Sequence, residues 1–161
     1  MTLVFNASPL IVLAKAGLLD QFLSLADTIV IPDPVAREIS QGDDPADPAC
    51  LWLQDSSHQK WIQEAPSVPP FVAAWDLGLG ESAVISLTAK TPESVAVLDD
   101  LAARRCAQAL RLPVVGTLGL VLMAKRQRVI PLVREALDAI VAAGLFISPR
   151  YIATICKEAG E

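Results

Sequence analysis

The sequence has a single histidine, His58, and only three cysteines, Cys50, Cys106 and Cys156, far apart along the chain. No CxxC and no Cys/His pairing at metal-ligand spacing occurs, which argues against a zinc site or a disulfide scaffold. One histidine also leaves little material for a Ser-His-Asp or Cys-His hydrolase unless His58 itself is the base. Its setting, QDSSHQK, reads as a solvated helix end. Long hydrophobic runs are missing too. The most nearly apolar stretch, LPVVGTLGLVLMA, contains Gly and Thr and is too short to span a bilayer. The opening MTLVFN has no basic region ahead of a long apolar one, so a secretory leader is not expected. There are no internal repeats, GLGES is not a P-loop, and no GxGxxG follows a strand, so a nucleotide pocket has no signal.

Charge is scarce as well. Only 19% of the residues are charged against 53% hydrophobic, and the net charge is −5. A protein that holds nucleic acid by bulk electrostatics is normally basic. Either nucleic acid is not the ligand, or contact is local and helped by a divalent cation; an acidic chain also suits a basic protein partner. The expectation is a cytoplasmic, water-soluble protein, with no membrane partner, whose excess apolar surface is covered by an oligomer or another protein.

At 161 residues the chain is the size of one ordinary domain, and residues 1–161 are read as one. Short β-like runs alternate with helical ones. LVF (3–5) precedes a helix that opens at Ser8-Pro9, with Ser8 as N-cap and Pro9 at the first helical position. LLDQFLSLA (18–26) is amphipathic, TIVI (28–31) is a β-branched strand, and Asp33-Pro34 caps the helix VAREIS. ACLWLQDSSHQKW reads as helix, and GDDPADP and EAPSVPP as breaker-rich connections. In the second half a helix follows GLGES, SVAVL is a strand, LAARRCAQAL a helix and PVVGT a buried strand. Three further helices follow, in LGLVLMAKRQR, PLVREALDAIVAAG and SPRYIATICKEAG. Strands separated by helices predict a parallel sheet with helices on both faces.

In such a sheet the carboxyl ends of all strands lie on one edge, where ligands bind. One strand ends in Asn6, another in Asp99-Asp100, a third in Thr117. Two more acids, Glu38 and Glu81, sit on or near helix starts. Each has a structural reading: Glu81 favours a helix dipole, Asp99 or Asp100 caps the next helix, Asn6 turns the chain, and Thr117 caps a helix. Gathered on one rim, carboxylates repel unless a proton or cation offsets them. Oxygen ligands suit Mg²⁺ or Mn²⁺, and with no usable histidine such an ion is the available route to phosphodiester hydrolysis. Arg104, one to two helical turns beyond Asp99, is placed to meet a phosphate.

The segments NASPLIVLAKAGLL, VIPDPVAREI, LGLGESAVISLTA, VLDDLAARRCA and PVVGTLGLVLMAKRQRVI together resemble the PIN-domain family, from Leu3 to the final KEAGE. The combination of GES, DD-x-x-A-R and GT-x-G carries the likeness. The resemblance implies a three-layer α/β/α fold with a central parallel sheet of four to five strands. It further implies a Mg²⁺- or Mn²⁺-dependent endoribonuclease, often the VapC-type toxin of a toxin–antitoxin pair. By that likeness Asn6, Glu38, Glu81 and Asp99 hold the metal, and Glu38, Glu81, Asp99, Asp100 and Thr117 are the catalytic candidates. Ser8 and Arg104 are the candidates for substrate contact. The implied partners are RNA, a small antitoxin and a second copy in a homodimer, with the helices at 9–25 as the surface for them. Asn6 departs from the Asp usual at that position: its carbonyl oxygen still ligates, but a negative charge is gone. The alternative is therefore a degenerate PIN-like domain that binds protein or RNA without cutting. The choice between Asp99 and Asp100 as ligand stays open, because successive strand residues face opposite sides.

Overall fold

In the computed structural model, which describes residues 1–161, five parallel strands form one sheet. These are β1 (Thr2–Phe5), β2 (Thr28–Pro32), β3 (Ile62–Gln63), β4 (Ser94–Val97) and β5 (Val114–Val115), in the spatial order β3-β2-β1-β4-β5. The register sets Thr2 beside Thr28 and Ser94, and Phe5 beside Val97. The central strands are apolar without alternation: Leu3, Val4 and Phe5 are fully buried, and Ile29 to Ile31 nearly so. That is the signature of strands covered on both faces. The chain builds outward from β1 through β2 to β3, then crosses back to β4 and β5 on the other side. The order therefore reverses between β1 and β4, which opens a crevice beyond their carboxyl ends.

Ten helices flank the sheet in a three-layer α/β arrangement: α1 (Ala7–Lys15), α2 (Leu19–Leu23), α3 (Asp33–Ser40), α4 (Pro48–Gln54), α5 (Pro70–Ala73), α6 (Leu79–Lys90), α7 (Leu101–Ala109), α8 (Thr117–Arg126), α9 (Val133–Ala142) and α10 (Pro149–Glu158). Helix α6 lies against β1, β2, β4 and α3, while α7 and α8 pack on β5. One continuous core of 39 buried apolar residues joins the elements. No helix is long and apolar enough to cross a membrane.

Several boundaries differ from the sequence reading. Helix α1 starts at Ala7 with Asn6 as N-cap, so Ser8 and Pro9 lie inside the first turn. Proline is tolerated there because the first helical amides have no intrahelical partner to lose. Asp33 is the first residue of α3 rather than its cap; its carboxylate pairs with Arg37 at 2.8 Å and accepts the Ala65 amide at 2.8 Å. The helix expected through Trp61 stops at Gln54, because Asp55 turns to accept the Ser57 amide at 2.8 Å. A 3₁₀ turn (Gln59–Trp61) then leads into β3, an edge strand that the sequence reading lacks. His58 is not a solvated helix end. Its ring stacks on Trp52 at 3.9 Å and Trp61 at 5.1 Å, and its Nδ1 donates to the Trp52 carbonyl at 2.7 Å. The β5 strand is half-buried rather than buried.

Candidate active site

The crevice beyond the ends of β1 and β4 collects polar groups from both strand ends and from α3, α6, α7 and α8. Asn6 leaves the end of β1 and is 3% exposed, its own amide tied to the Val97 carbonyl at 3.1 Å. Glu38 comes from the last turn of α3, not from near its start, and is exposed. Glu81 sits in the first turn of α6, where the helix dipole favours a negative charge. The Asn6 Nδ2 donates to Glu81 Oε1 at 3.1 Å. That bond fixes the amide and turns its carbonyl oxygen the other way.

The carbonyl oxygen Oδ1 of Asn6 is one of two buried side-chain polar atoms with no hydrogen-bond partner; the other is Ser86 Oγ. Leaving a buried acceptor unsatisfied costs about 1–3 kcal/mol. Gly80 shows where this oxygen points. A Cβ added at Gly80 would lie 2.8 Å from Asn6 Oδ1 and 2.9 Å from Glu38 Oε2. Two oxygens from different elements thus converge on a spot that is open only because position 80 has no side chain. A side chain at Gly78 would likewise strike the Glu81 carboxylate. The cleft over these residues has a volume of about 410 Å³ and is also lined by Pro34, Arg37 and Gln41. Desolvation here pushes the Glu38 carboxyl above its ordinary value, and the negative Glu81 adds to the shift.

A second group stands at the end of β4. Asp99 accepts from the Thr117 amide at 2.7 Å and from the Thr117 hydroxyl at 2.6 Å. Thr117 is fully buried and opens α8; its hydroxyl serves Asp99 and does not cap the helix, whose N-cap is Gly116. Gly116 is confined between Asp99 and Arg104: a Cβ there would lie 2.9 Å from Asp99 Oδ1 and would strike the Arg104 guanidinium. One Arg104 nitrogen donates to the Leu98 carbonyl at 3.3 Å. Asp100 does something else. It is exposed and caps α7 by accepting the Ala103 amide at 2.8 Å. Ser8 is exposed on the first turn of α1.

The structure thus joins Asn6, Glu38 and Glu81 in one cluster, and Asp99, Thr117 and Arg104 in a neighbouring one. No three His, Cys, Asp or Glu side chains gather closely enough to hold an ion by themselves. With the Asn6 carbonyl counted, the first cluster offers two carboxylates and an orphaned amide oxygen. That donor set fits a hard divalent cation that keeps much of its water. Gly80 and Gly116 are the contributors that sequence reasoning missed as such. GLGES and VVGT held the signal, since a glycine inside a helix start or just past a strand marks close approach.

Among curated proteins and among solved structures, no match to this chain was found. A family profile described as a PIN domain matches residues 2–161. The strand order, the acidic crevice at the switch point and this near-complete match agree: the chain belongs to the PIN-domain family, whose general activity is that of nucleases.

Proposed function

We propose that this protein is an endoribonuclease dependent on Mg²⁺ or Mn²⁺, acting as the toxin of a toxin–antitoxin pair. The observation that carries the reading is the buried, unpartnered Asn6 Oδ1, aimed at the gap over Gly80 beside Glu38. Asn6, Glu38 and Glu81 would hold the ion, with Asp99 reached from the adjoining strand end. An ion held there would supply Lewis-acid activation of a water and offset charge on the leaving oxygen.

The remaining work falls to side chains. Glu81 holds the Asn6 amide so that the carbonyl faces the cleft. Thr117 orients Asp99 through two hydrogen bonds, which leaves lone pairs free on both carboxylate oxygens. Arg104 forms no salt bridge, so its free N–H groups are available to a phosphate oxygen. Asp100 acts through structure, as the cap that starts α7 beneath Arg104. Exposed Ser8 at the mouth-side start of α1 is kept as a substrate contact, and the α1–α2 surface as the place for an antitoxin or a second copy.

The test is cleavage of RNA by the purified protein with Mn²⁺, repeated in EDTA and with Glu81→Gln. Undiminished cleavage in EDTA sinks the proposal. A second reading, a domain that binds RNA or protein without cutting, draws on two features: Asn6 replaces a carboxylate, and no three-acid cluster forms. Calorimetry separates the two, since absence of Mn²⁺ binding at millimolar concentration favours the second.

A further inference from the structure

A groove of about 520 Å³ begins at Asp99, Arg104 and Gly116 and runs along α8 toward α10. Its floor is apolar, with Val115, Leu118, Leu122 and Ile155. Two aromatic side chains stand at its lip: Phe146, 90% exposed, and Tyr151, 52% exposed. The residue after it, Ile147, is buried in the core, and Leu145 before it is half-buried. The burial of these two on either side leaves the Phe146 ring standing in solvent at the lip of the groove.

We propose that this groove receives an unstacked base of single-stranded RNA while the adjoining phosphate meets Arg104. The inference rests on the nuclease reading above and names the form of its substrate. A flat apolar group with an anion at one end matches a groove that is apolar along its length and carries the Arg104 guanidinium, beside Asp99, where it meets the acidic rim. Aromatic side chains stack on any base, because every base has a π-face. At the far end stands a single acid, Glu158, a half-exposed side chain with the Arg126 guanidinium 3.7 Å away. A base inside a duplex cannot enter, since it stays in its own stack, and RNA-reading proteins take single strands and loops for that reason. Sharing of Asp99, Arg104 and Gly116 with the rim favours RNA over a protein segment as the occupant.

The experiment uses the full chain carrying Glu81→Gln, in EDTA, with a fluorescent single-stranded oligoribonucleotide and a duplex of the same sequence, read by anisotropy. Adding Phe146→Ala and Tyr151→Ala lowers single-strand affinity by about 5- to 160-fold, the range for loss of one base stack. Duplex binding is unchanged. Leu51→Ala, which removes an exposed leucine on α4, leaves both unchanged, and Phe146→Trp restores the single-strand affinity. In the otherwise wild-type chain with Mn²⁺, the two alanines raise KM and leave kcat in place. Equal single-strand affinity with and without the aromatic rings, or no single-strand binding at all, overturns the proposal and leaves the groove to a protein segment. Loss of binding with the rings, in a protein that never cleaves, supports the groove and sinks the nuclease reading instead.

Discussion

Glu38 and Glu161 are the same side chain in opposite circumstances. Glu161 accepts the Val133 amide at 2.8 Å and the Arg134 amide at 3.1 Å, and pairs with Lys125 at 2.8 Å. Helix α9 has no side-chain cap of its own at Leu132, so this distant carboxylate supplies one. The Lys125 hydrogen bond and then the amides bring its carboxyl down to about 2. Glu38 has no such donor. It faces Glu81 from the exposed wall of the cleft, and partial burial together with that neighbouring charge pushes its carboxyl up. One region satisfies a charge with groups of this chain; the other leaves charge and an amide oxygen waiting. Unsatisfied polar groups in a cleft make it a candidate for function, because selection for stability alone would tend to remove them.

The largest test of this contrast is Glu81→Gln. It should lower RNA cleavage at least about 10- to 100-fold, the range seen even for groups that only orient a metal ligand. Its fold should survive, as judged by circular dichroism. Next is Asn6→Asp, which removes the Nδ2–H···Oε1 bond and sets a third charge beside Glu81. In EDTA it should destabilise the protein by about 1.5–3 kcal/mol in denaturant melts. Saturating Mn²⁺ should return that loss, and a loss that persists with the ion would mean the cluster is no cation seat.

Glu161→Gln should lower Tm at pH 7. Because the folded carboxyl lies at about 2 against an ordinary 4.5, its contribution is complete above pH 4.5 and fades as pH falls toward 2. Wild type and variant melts should therefore converge at the acid end. The smallest effect is expected from Glu38→Gln. A carboxyl raised in the folded state favours folding while protonated, and that help is lost as pH rises past its ordinary 4.5 and through the raised value. The variant should then melt slightly higher than wild type at pH 7 in EDTA, and no higher below pH 4.5. A variant that melts lower at pH 7 would move Glu38 into the same class as Glu161.

The parallel sheet was legible because its strands are β-branched runs between amphipathic segments, as in TIVI and SVAVL. The edge strand at Ile62–Gln63 was not, since two residues carry no periodicity and their pairing with Ile31 and Pro32 is set by tertiary packing. The helix break after Gln54 depends on one Asp side chain turning back on its own backbone, a choice that propensity does not reveal. Within the candidate site, strand ends pointed to Asn6, Asp99 and Thr117. The separate work of Asp99 and its neighbour Asp100 needed coordinates, because both can cap a helix and only geometry distinguishes them. The orientation of the Asn6 amide was equally out of reach, being fixed by Glu81, 75 positions further along.

The sheet order has one more consequence. The two neighbours of β1 come from opposite halves of the chain, β2 before residues 64–69 and β4 after them. Asn6 and Glu38 fall in the first half, and Glu81, Asp99 and Thr117 in the second. A polypeptide severed in that proline-rich connection would leave neither fragment with both walls of the crevice. Whatever chemistry occurs there would then wait for two pieces to find each other, which makes this connection a natural place to build a protein that reports their meeting.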